Sequence, residues 1–277
     1  MGWFTAWNRR KTLFVFLIMA ALMLAAITIG GRVLENEAMV TDFSRKNLAP
    51  CPAYPFGTDW MGRDMFVRTI TGLSLSIRIG LLTAAVSAVI ACFMGTAAAC
   101  LGKAADGLVG IIIDLVMGIP HILLLILISF AAGKGFWGVM VGISLTHWTS
   151  LARLLRAEVM QLKERQYIKI AGKLGMGKMQ IAWKHMMPHL LPQLLVGVVL
   201  LFPHAILHEA SITFLGFGLS PEQPAIGVIL SESMKYLTMG KWWLALFPGL
   251  LLVLVVALFH FIGDTMMTLI NPNKAHM

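Results

Sequence analysis

The sequence predicts an all-α integral membrane protein with about six transmembrane helices. The first indication is composition: 58% of the 277 residues are hydrophobic and only 13% are charged, against about 25% charged in a soluble domain. The second indication is the length of the apolar stretches, because a helix needs about 20 apolar residues to cross the hydrocarbon core. Six stretches approach that length, at residues 12–31, 74–101, 108–131, 136–152, 191–215 and 244–269.

The charge distribution gives a third indication. The formal net charge is +9, which in a soluble domain would suggest a nucleic-acid partner. Here the basic residues cluster between apolar stretches, as the positive-inside bias of membrane proteins requires. We therefore expect membrane lipid around the chain and no nucleic acid.

The first predicted helix is a retained span. Residues 9–11 are basic and are followed by an apolar run over 12–29 that is long enough to cross the membrane. Residues 30–33 match a signal-peptidase site poorly. Residues 1–31 are therefore predicted to form a cytoplasmic tail and the first transmembrane helix.

Orientation follows from the connections. The connection over 153–190 carries eight Lys and Arg residues against only Glu158 and Glu164, which predicts a cytoplasmic location. With six spans, both termini are then cytoplasmic. The long segment 32–72 and the loop 216–243 fall outside, and residues 73–272 form a five-helix core.

The basic connection has its own internal pattern. Four apolar residues recur at helical spacing in it: Tyr167, Ile170, Ala171 and Leu174. Gly175 and Gly177 then interrupt the pattern, and Pro188 precedes the next span. Two short helices around a glycine break would make a compact docking element. The residues alone fit equally well a basic loop lying on the inner lipid surface.

This connection resembles the "EAA" coupling motif of bacterial ABC importer permeases. The resemblance lies in residues 166–175 and 185–188, with a tyrosine before the motif as in the peptide and nickel branch. In that family the element fits a groove on the ATPase subunit and transmits its movement. The resemblance implies that role for Tyr167, Ala171, Gly175, Met187 and Pro188.

Two further stretches resemble the same branch. Residues 56–64 resemble its external Gly-Thr-Asp-x-x-Gly-Arg-Asp signature, and residues 211–218 resemble its Ser-x-x-Phe-Leu-Gly-x-Gly turn. The signature residues are Gly57, Asp59, Gly62, Arg63 and Asp64. Arg63 and Asp64 would serve a structural ion pair or contact a binding protein, and the sequence leaves both open.

The resemblance extends from residue 12 to about residue 272 and identifies a second, C-type permease of the dipeptide, oligopeptide and nickel family. It implies the type I ABC importer fold in the bacterial cytoplasmic membrane. The implied partners are a second homologous permease, two ATPase subunits and an extracytoplasmic substrate-binding protein. ATP and Mg would be bound by the ATPase subunits, so this chain would be a transport subunit without a cofactor or enzymatic activity of its own.

One stretch imitates a nucleotide site. Residues 172–178 match the Walker A spacing G-x-x-x-x-G-K, but Met179 stands where the Mg²⁺-binding Ser or Thr belongs. No predicted strand leads into it. We therefore expect ATP to bind elsewhere in the complex.

Ionisable residues inside predicted spans are costly and often functional. His204 and His208 are four residues apart and share one helix face, so they can bind a divalent metal transiently or hydrogen-bond to neighbouring helices. Together with His147, they resemble nickel-importer permeases more than peptide permeases. His260 and Asp264 have the same spacing and can pair with each other.

Asp114, in the third predicted span, is expected to serve packing or gating. The sequence thus predicts an importer permease for nickel or a nickel chelate. Import of di- or oligopeptides is the alternative substrate class. A stand-alone ion channel or proton-coupled carrier is the alternative of a different class, and it would work without an ATPase.

Overall fold

The computed structural model describes residues 9–270, apart from the side chains of a few of them. Ten α-helices are named here in chain order: α1 (Arg9–Val33), α2 (Met65–Leu101), α3 (Lys103–Gly118), α4 (His121–Ala131), α5 (Gly135–Glu164), α6 (Gln166–Lys173), α7 (Lys178–Ile181), α8 (Met187–Phe214), α9 (Ile226–Leu237) and α10 (Trp243–Ile270). A π-helical turn, Ala182–Met186, joins α7 to α8. The prediction of an all-α fold is confirmed.

Fewer helices than predicted are long and apolar enough to cross a membrane. Four stretches of helix in the described part of the chain are long and apolar enough to cross a membrane: Phe14–Val33, Met65–Ala98, Met179–Phe214 and Trp243–Thr268. Helices α3 and α4 together make a possible fifth span, but they are bent by 98° relative to each other. Residues 108–131 are therefore not the continuous span that the sequence predicted. The break falls at Pro120, which disfavours helical backbone at Ile119 and precedes the first residue of α4.

The predicted fourth span, 136–152, lies within α5 but does not meet the same test of length and hydropathy. Buried polar residues lower its hydropathy, namely Ser144, Thr146, His147 and Thr149. Helix α5 packs against α2, α4 and α8. It is thus surrounded by protein over much of its surface, and a helix in that position does not need an apolar face towards lipid.

The core joins α2, α5, α8 and α10. Leu155, Ile206 and Val255, from three of these helices, are completely buried in it. Helix α2 approaches α5 so closely that a Cβ added at Gly95 would lie 3.0 Å from the carbonyl oxygen of Ala152. This packing holds α5 and α8 side by side and fixes the side chains that they present to the cavity described below.

Two connections are structured. The segment over 34–64, named the cap here, contains short 3₁₀ turns at Glu37–Met39 and Phe43–Arg45 and ends where α2 begins at Met65. That start is earlier than the predicted residue 74. The predicted loop at 216–243 contains a short helix, α9. Helix α8 also begins earlier than predicted, at Met187, because Pro188 fits the first turn of a helix.

Candidate functional site

A cavity of about 560 Å³ opens at the break between α3 and α4. Its walls are residues 116–121 and side chains of α5 and α8. Four histidines line it: His121, His147, His204 and His208. None of the described residues that line it is an Asp, Glu, Lys or Arg, so the cavity is polar without a fixed charge when the imidazoles are neutral.

Three of these histidines converge from different helices. His121 is the first residue of α4, His147 lies in the middle of α5, and His208 lies in α8. The ring centroids are 4.5 Å apart for His121 and His208, 4.9 Å for His121 and His147, and 5.0 Å for His147 and His208. One nitrogen from each ring lies within 4.8 Å of the other two. We call these residues the histidine trio.

Hydrogen bonding orients one ring of the trio. Nδ1 of His147 lies 3.1 Å from the carbonyl oxygen of Ile143. A carbonyl oxygen only accepts, so Nδ1 donates its proton in this contact and Nε2 keeps a free lone pair. Nε2 of His121 is buried and has no hydrogen-bond partner among the described residues. A buried unpaired nitrogen of this kind requires an explanation.

The predicted pair of His204 and His208 is only partly reproduced. Both line the cavity, but the trio contains His208 and not His204. The ring of His204 is 6.5 Å from that of His260. Sequence reasoning missed His121, because residues 108–131 were interpreted as one span. The available signal was Pro120 directly before a histidine inside an apolar stretch.

Four other ionisable residues of the predicted spans lie outside the histidine trio. No hydrogen bond or ion pair within residues 9–270 joins His260 to Asp264, and both residues are exposed. Asp114 pairs with Arg153 of α5, with 3.0 Å between Oδ1 and Nη2. Glu209 is fully buried and accepts a hydrogen bond from Thr213 Oγ1 at 3.0 Å. It does not line the cavity, as its rotation by about 100° from His208 predicts.

The cap signature forms a buried cluster of charges. Asp59 Oδ2 lies 2.6 Å from Arg63 Nε and 2.6 Å from Arg68 Nη1. Oε2 of Glu232 in α9 lies 3.3 Å from Arg63 Nη2 and 3.0 Å from Arg68 Nη2. Two arginines and two carboxylates thus connect the cap, α2 and α9.

The expected structural ion pair of Arg63 therefore involves Asp59 and Glu232, not Asp64. Asp64 instead caps α2, because its Oδ1 accepts a hydrogen bond from Phe66 N at 2.8 Å. Gly57 and Gly62 lie in the left-handed region, with φ of +71° and +75°. Glycine adopts this conformation without steric cost. The signature residues are thus explained by the folding of the cap.

The segment over 166–188 has the predicted short helix, glycine turn and second short helix. Ala171 is buried, and Gly175 makes the turn after α6 with φ of +86°. Met187 and Pro188 begin α8. Residues 172–178, which imitate a Walker A sequence, follow a helix and not a strand.

Large apolar side chains of this segment point away from the protein. Leu174 is 78% exposed and Trp183 is 65% exposed, and the exposed group is completed by Tyr167, Ile170 and Met179. We call these five residues the exposed apolar group. Beside them, a hydrogen bond of 2.6 Å from Lys169 lowers the pKa of Glu164. Exposed apolar groups of this size indicate a protein or membrane contact.

The apolar helical fold, the polar cavity at a broken helix and the exposed apolar group are together typical of a membrane transport subunit. A family profile described as "Binding-protein-dependent transport system inner membrane component" matches residues 87–276. The chain therefore belongs to that family and is a permease subunit of an ABC importer.

Named relatives match nearly the whole chain. The chain is 28% identical to the dipeptide transport system permease protein DppC of Bacillus subtilis (strain 168), over 96% of this chain and 84% of the relative. It is 31% identical to a putative peptide permease protein of Brucella suis biovar 1 (strain 1330), over 96% of this chain and 88% of the relative. A putative peptide transport system permease protein of the same strain is 30% identical, over 95% and 88%.

A solved structure has the same fold. The inward-facing MetNI methionine ABC transporter contains a chain that superposes with a TM-score of 0.62 at 20% sequence identity. The match covers 75% of this chain and 98% of that chain.

Proposed function

We propose that this chain is one of two membrane-spanning subunits of a binding-protein-dependent importer in the bacterial cytoplasmic membrane. Its partners are a second homologous permease, two ATPase subunits that bind ATP and Mg, and an extracytoplasmic substrate-binding protein. The observation that carries the proposal is the exposed apolar group on the 166–188 segment. In this family the segment docks on the ATPase subunit. Docking would remove from water an apolar surface that is costly to leave exposed.

The proposed mechanism is alternating access, with both termini in the cytoplasm. ATP binding closes the two ATPase subunits against each other, the 166–188 segment moves with them, and the pathway opens outward. Hydrolysis resets the transporter. Because α8 continues directly from this segment, movement there reaches the helix that carries His204 and His208.

Short peptides are the first substrate candidate. The relatives named above are dipeptide and peptide permeases, and they support this class better than the nickel cargo expected from the sequence. Nickel or a nickel chelate is the second candidate, favoured by one specific observation, the four histidines in the cavity. A stand-alone channel or proton-coupled carrier is disfavoured by membership of the importer family.

The test is transport by the complete importer in proteoliposomes, with ATP supplied on the ATPase side. Uptake of a labelled dipeptide mixture and of radioactive nickel is measured in parallel, with and without the binding protein. We expect ATP-dependent uptake of one substrate class. If the chain does not co-purify with an ATPase subunit and neither substrate stimulates ATP hydrolysis, the importer proposal is overturned.

A further inference from the structure

We propose that His121, His147 and His208 form a three-imidazole binding site for a transition-metal ion that arrives with its own chelating ligands. The inference deepens the proposed import function and rests on it, because it names the site at which the second substrate candidate, nickel or a nickel chelate, would bind. It also replaces the pair of His204 and His208 with a site built from three helices.

The geometry of the trio is close to that of a metal site. Nitrogen ligands bind Zn²⁺ at about 2.0–2.1 Å, and other first-row divalent ions at similar distances, so nitrogens that share one face of an octahedral ion are about 3.0 Å apart. The three nitrogens lie within 4.8 Å of one another. A closure of up to roughly 1.8 Å brings them into range. His121 begins α4 directly after the bend of 98° between α3 and α4, and rotation at this break would supply such a closure.

The ligand chemistry selects the metal class. Imidazole suits Ni, Cu and Zn, whereas Mg²⁺ and Ca²⁺ prefer carboxylate and carbonyl oxygens. The contact from His147 Nδ1 to the Ile143 carbonyl oxygen resembles the outer hydrogen bond that orients metal-binding histidines. The unpaired Nε2 of His121 would gain a partner in the metal.

The absence of charge from the described cavity lining indicates that the cargo is a complex. A bare dication would enter a cavity without an anionic side chain among its described walls, and burying an uncompensated charge is costly. Three imidazoles can occupy one face of an octahedral ion and leave three positions free. A tridentate anionic chelator would fill those positions and neutralise the ion.

A binding experiment on the assembled transporter tests the site. The complete complex in nanodiscs, without ATP, is equilibrated with radioactive nickel, supplied either alone or as the complex with iminodiacetate, a tridentate dianion. Bound nickel is measured by equilibrium dialysis. We expect saturable binding, with higher affinity for the iminodiacetate complex than for nickel alone.

Substitutions then locate the binding. His121→Ala, His147→Ala and His208→Ala are each expected to weaken nickel binding by roughly tenfold or more, the scale reported for perturbed metal sites. His189→Ala is the matched control, because His189 is an exposed histidine of the same helix as His208 and is expected to change affinity less than about twofold. Two controls test whether a loss of binding reflects misfolding. The amount of co-purified ATPase reports assembly of the complex, and His208→Gln removes the imidazole but keeps a polar side chain.

The outcomes are distinct. Wild-type complex without saturable binding of either nickel form, or trio variants that bind like the wild type, would overturn the site. If nickel alone binds more tightly than its iminodiacetate complex, the proposal of a chelated cargo is overturned, but the trio remains a metal site. If no ATPase co-purifies, the proposed import function fails, and nickel binding to the purified full chain still decides whether the trio binds metal.

Discussion

Arg68 Nη1 lies 2.6 Å from Asp59 Oδ2, and both side chains are almost completely buried. Arg63 and Glu232 complete a cluster of two positive and two negative charges. A buried charge is tolerated only when it is paired and hydrogen-bonded. The cluster therefore makes the position of the cap on α2 and α9 depend on each of its members.

Asp59→Asn should destabilise the protein strongly. It leaves Arg63 and Arg68 with a single carboxylate, Glu232, and breaking a buried ion pair costs about 3–5 kcal/mol. Thermal unfolding of the purified complex in detergent measures the effect. Asp42→Asn is the control, since Asp42 is an exposed carboxylate paired with Arg45, and such pairs contribute about 0–1 kcal/mol. Equal shifts for both variants would contradict a stabilising cluster.

Gly62→Ala tests the folding of the cap by a different route. Gly62 has φ of +75°, and an added Cβ would lie 1.8 Å from the Asp42 carbonyl oxygen. We expect destabilisation by more than about 1 kcal/mol, because alanine fits neither the backbone conformation nor the space. Gly110→Ala, in α3 with nothing within 4 Å, should be neutral or stabilising. Thermal unfolding of the two variants decides, and a stable Gly62→Ala would refute this account.

Leu174→Ser and Trp183→Ser should weaken ATPase association. These side chains belong to the exposed apolar group, and loss of a buried interface anchor worth about 1.4 kcal/mol lowers affinity tenfold. The amount of ATPase that co-purifies with the permease pair is the measurement. Val33→Ser removes another apolar side chain, 75% exposed at the end of α1, and should leave co-purification unchanged. A similar loss with Val33→Ser would indicate general misfolding.

The sequence predicted the parts of the fold that depend on local signals. Gly175 and Gly177 interrupt the helical pattern after Leu174, and this spacing predicted the turn observed at Gly175. The cap signature did not predict which residues adopt a positive φ. The histidine trio was beyond local signals, because its members converge only through the packing of α4, α5 and α8. The break at Pro120 was a local signal whose consequence, the placement of His121, depends on the 98° bend.

The number of apolar spans differs from the prediction for a related physical reason. Hydropathy reports contact with lipid, and α5 contacts mainly other helices. Its buried Thr146 and Thr149 donate hydrogen bonds to backbone carbonyls within the same helix. A helix of this kind satisfies its polar groups internally and does not carry the continuous apolar pattern on which the prediction of 136–152 relied.

Glu209→Gln should be tolerated, whereas Glu209→Ala should not. Glu209 is fully buried and no cation pairs with it among the described residues, so a neutral side chain of the same shape preserves the contact with Thr213. Alanine removes that acceptor, and an unsatisfied buried donor costs about 1–3 kcal/mol. Thermal unfolding separates the two variants. Destabilisation by glutamine as large as that by alanine would show that an amide cannot replace the carboxyl group in this contact.

Two ion pairs join α3 to α5 and should differ in strength. Arg156 Nη2 lies 2.8 Å from Asp106 Oδ2, and a second nitrogen of the same guanidinium bonds the other carboxylate oxygen. The side chain of Arg156 is 30% exposed and that of Asp106 is 25% exposed. In the second pair, Arg153 Nη2 lies 3.0 Å from Asp114 Oδ1. The two side chains are 51% and 76% exposed, respectively.

Double-mutant cycles to alanine measure the two coupling energies by thermal unfolding of the purified complex. We expect about 1–2 kcal/mol for the two-bonded pair, because parallel charge-assisted hydrogen bonds hold the guanidinium in place. For Arg153 and Asp114 we expect less than about 1 kcal/mol, since solvent screens an exposed pair. Equal coupling energies, or a larger value for Arg153 and Asp114, would mean that burial and bond number do not set the strength of the two pairs.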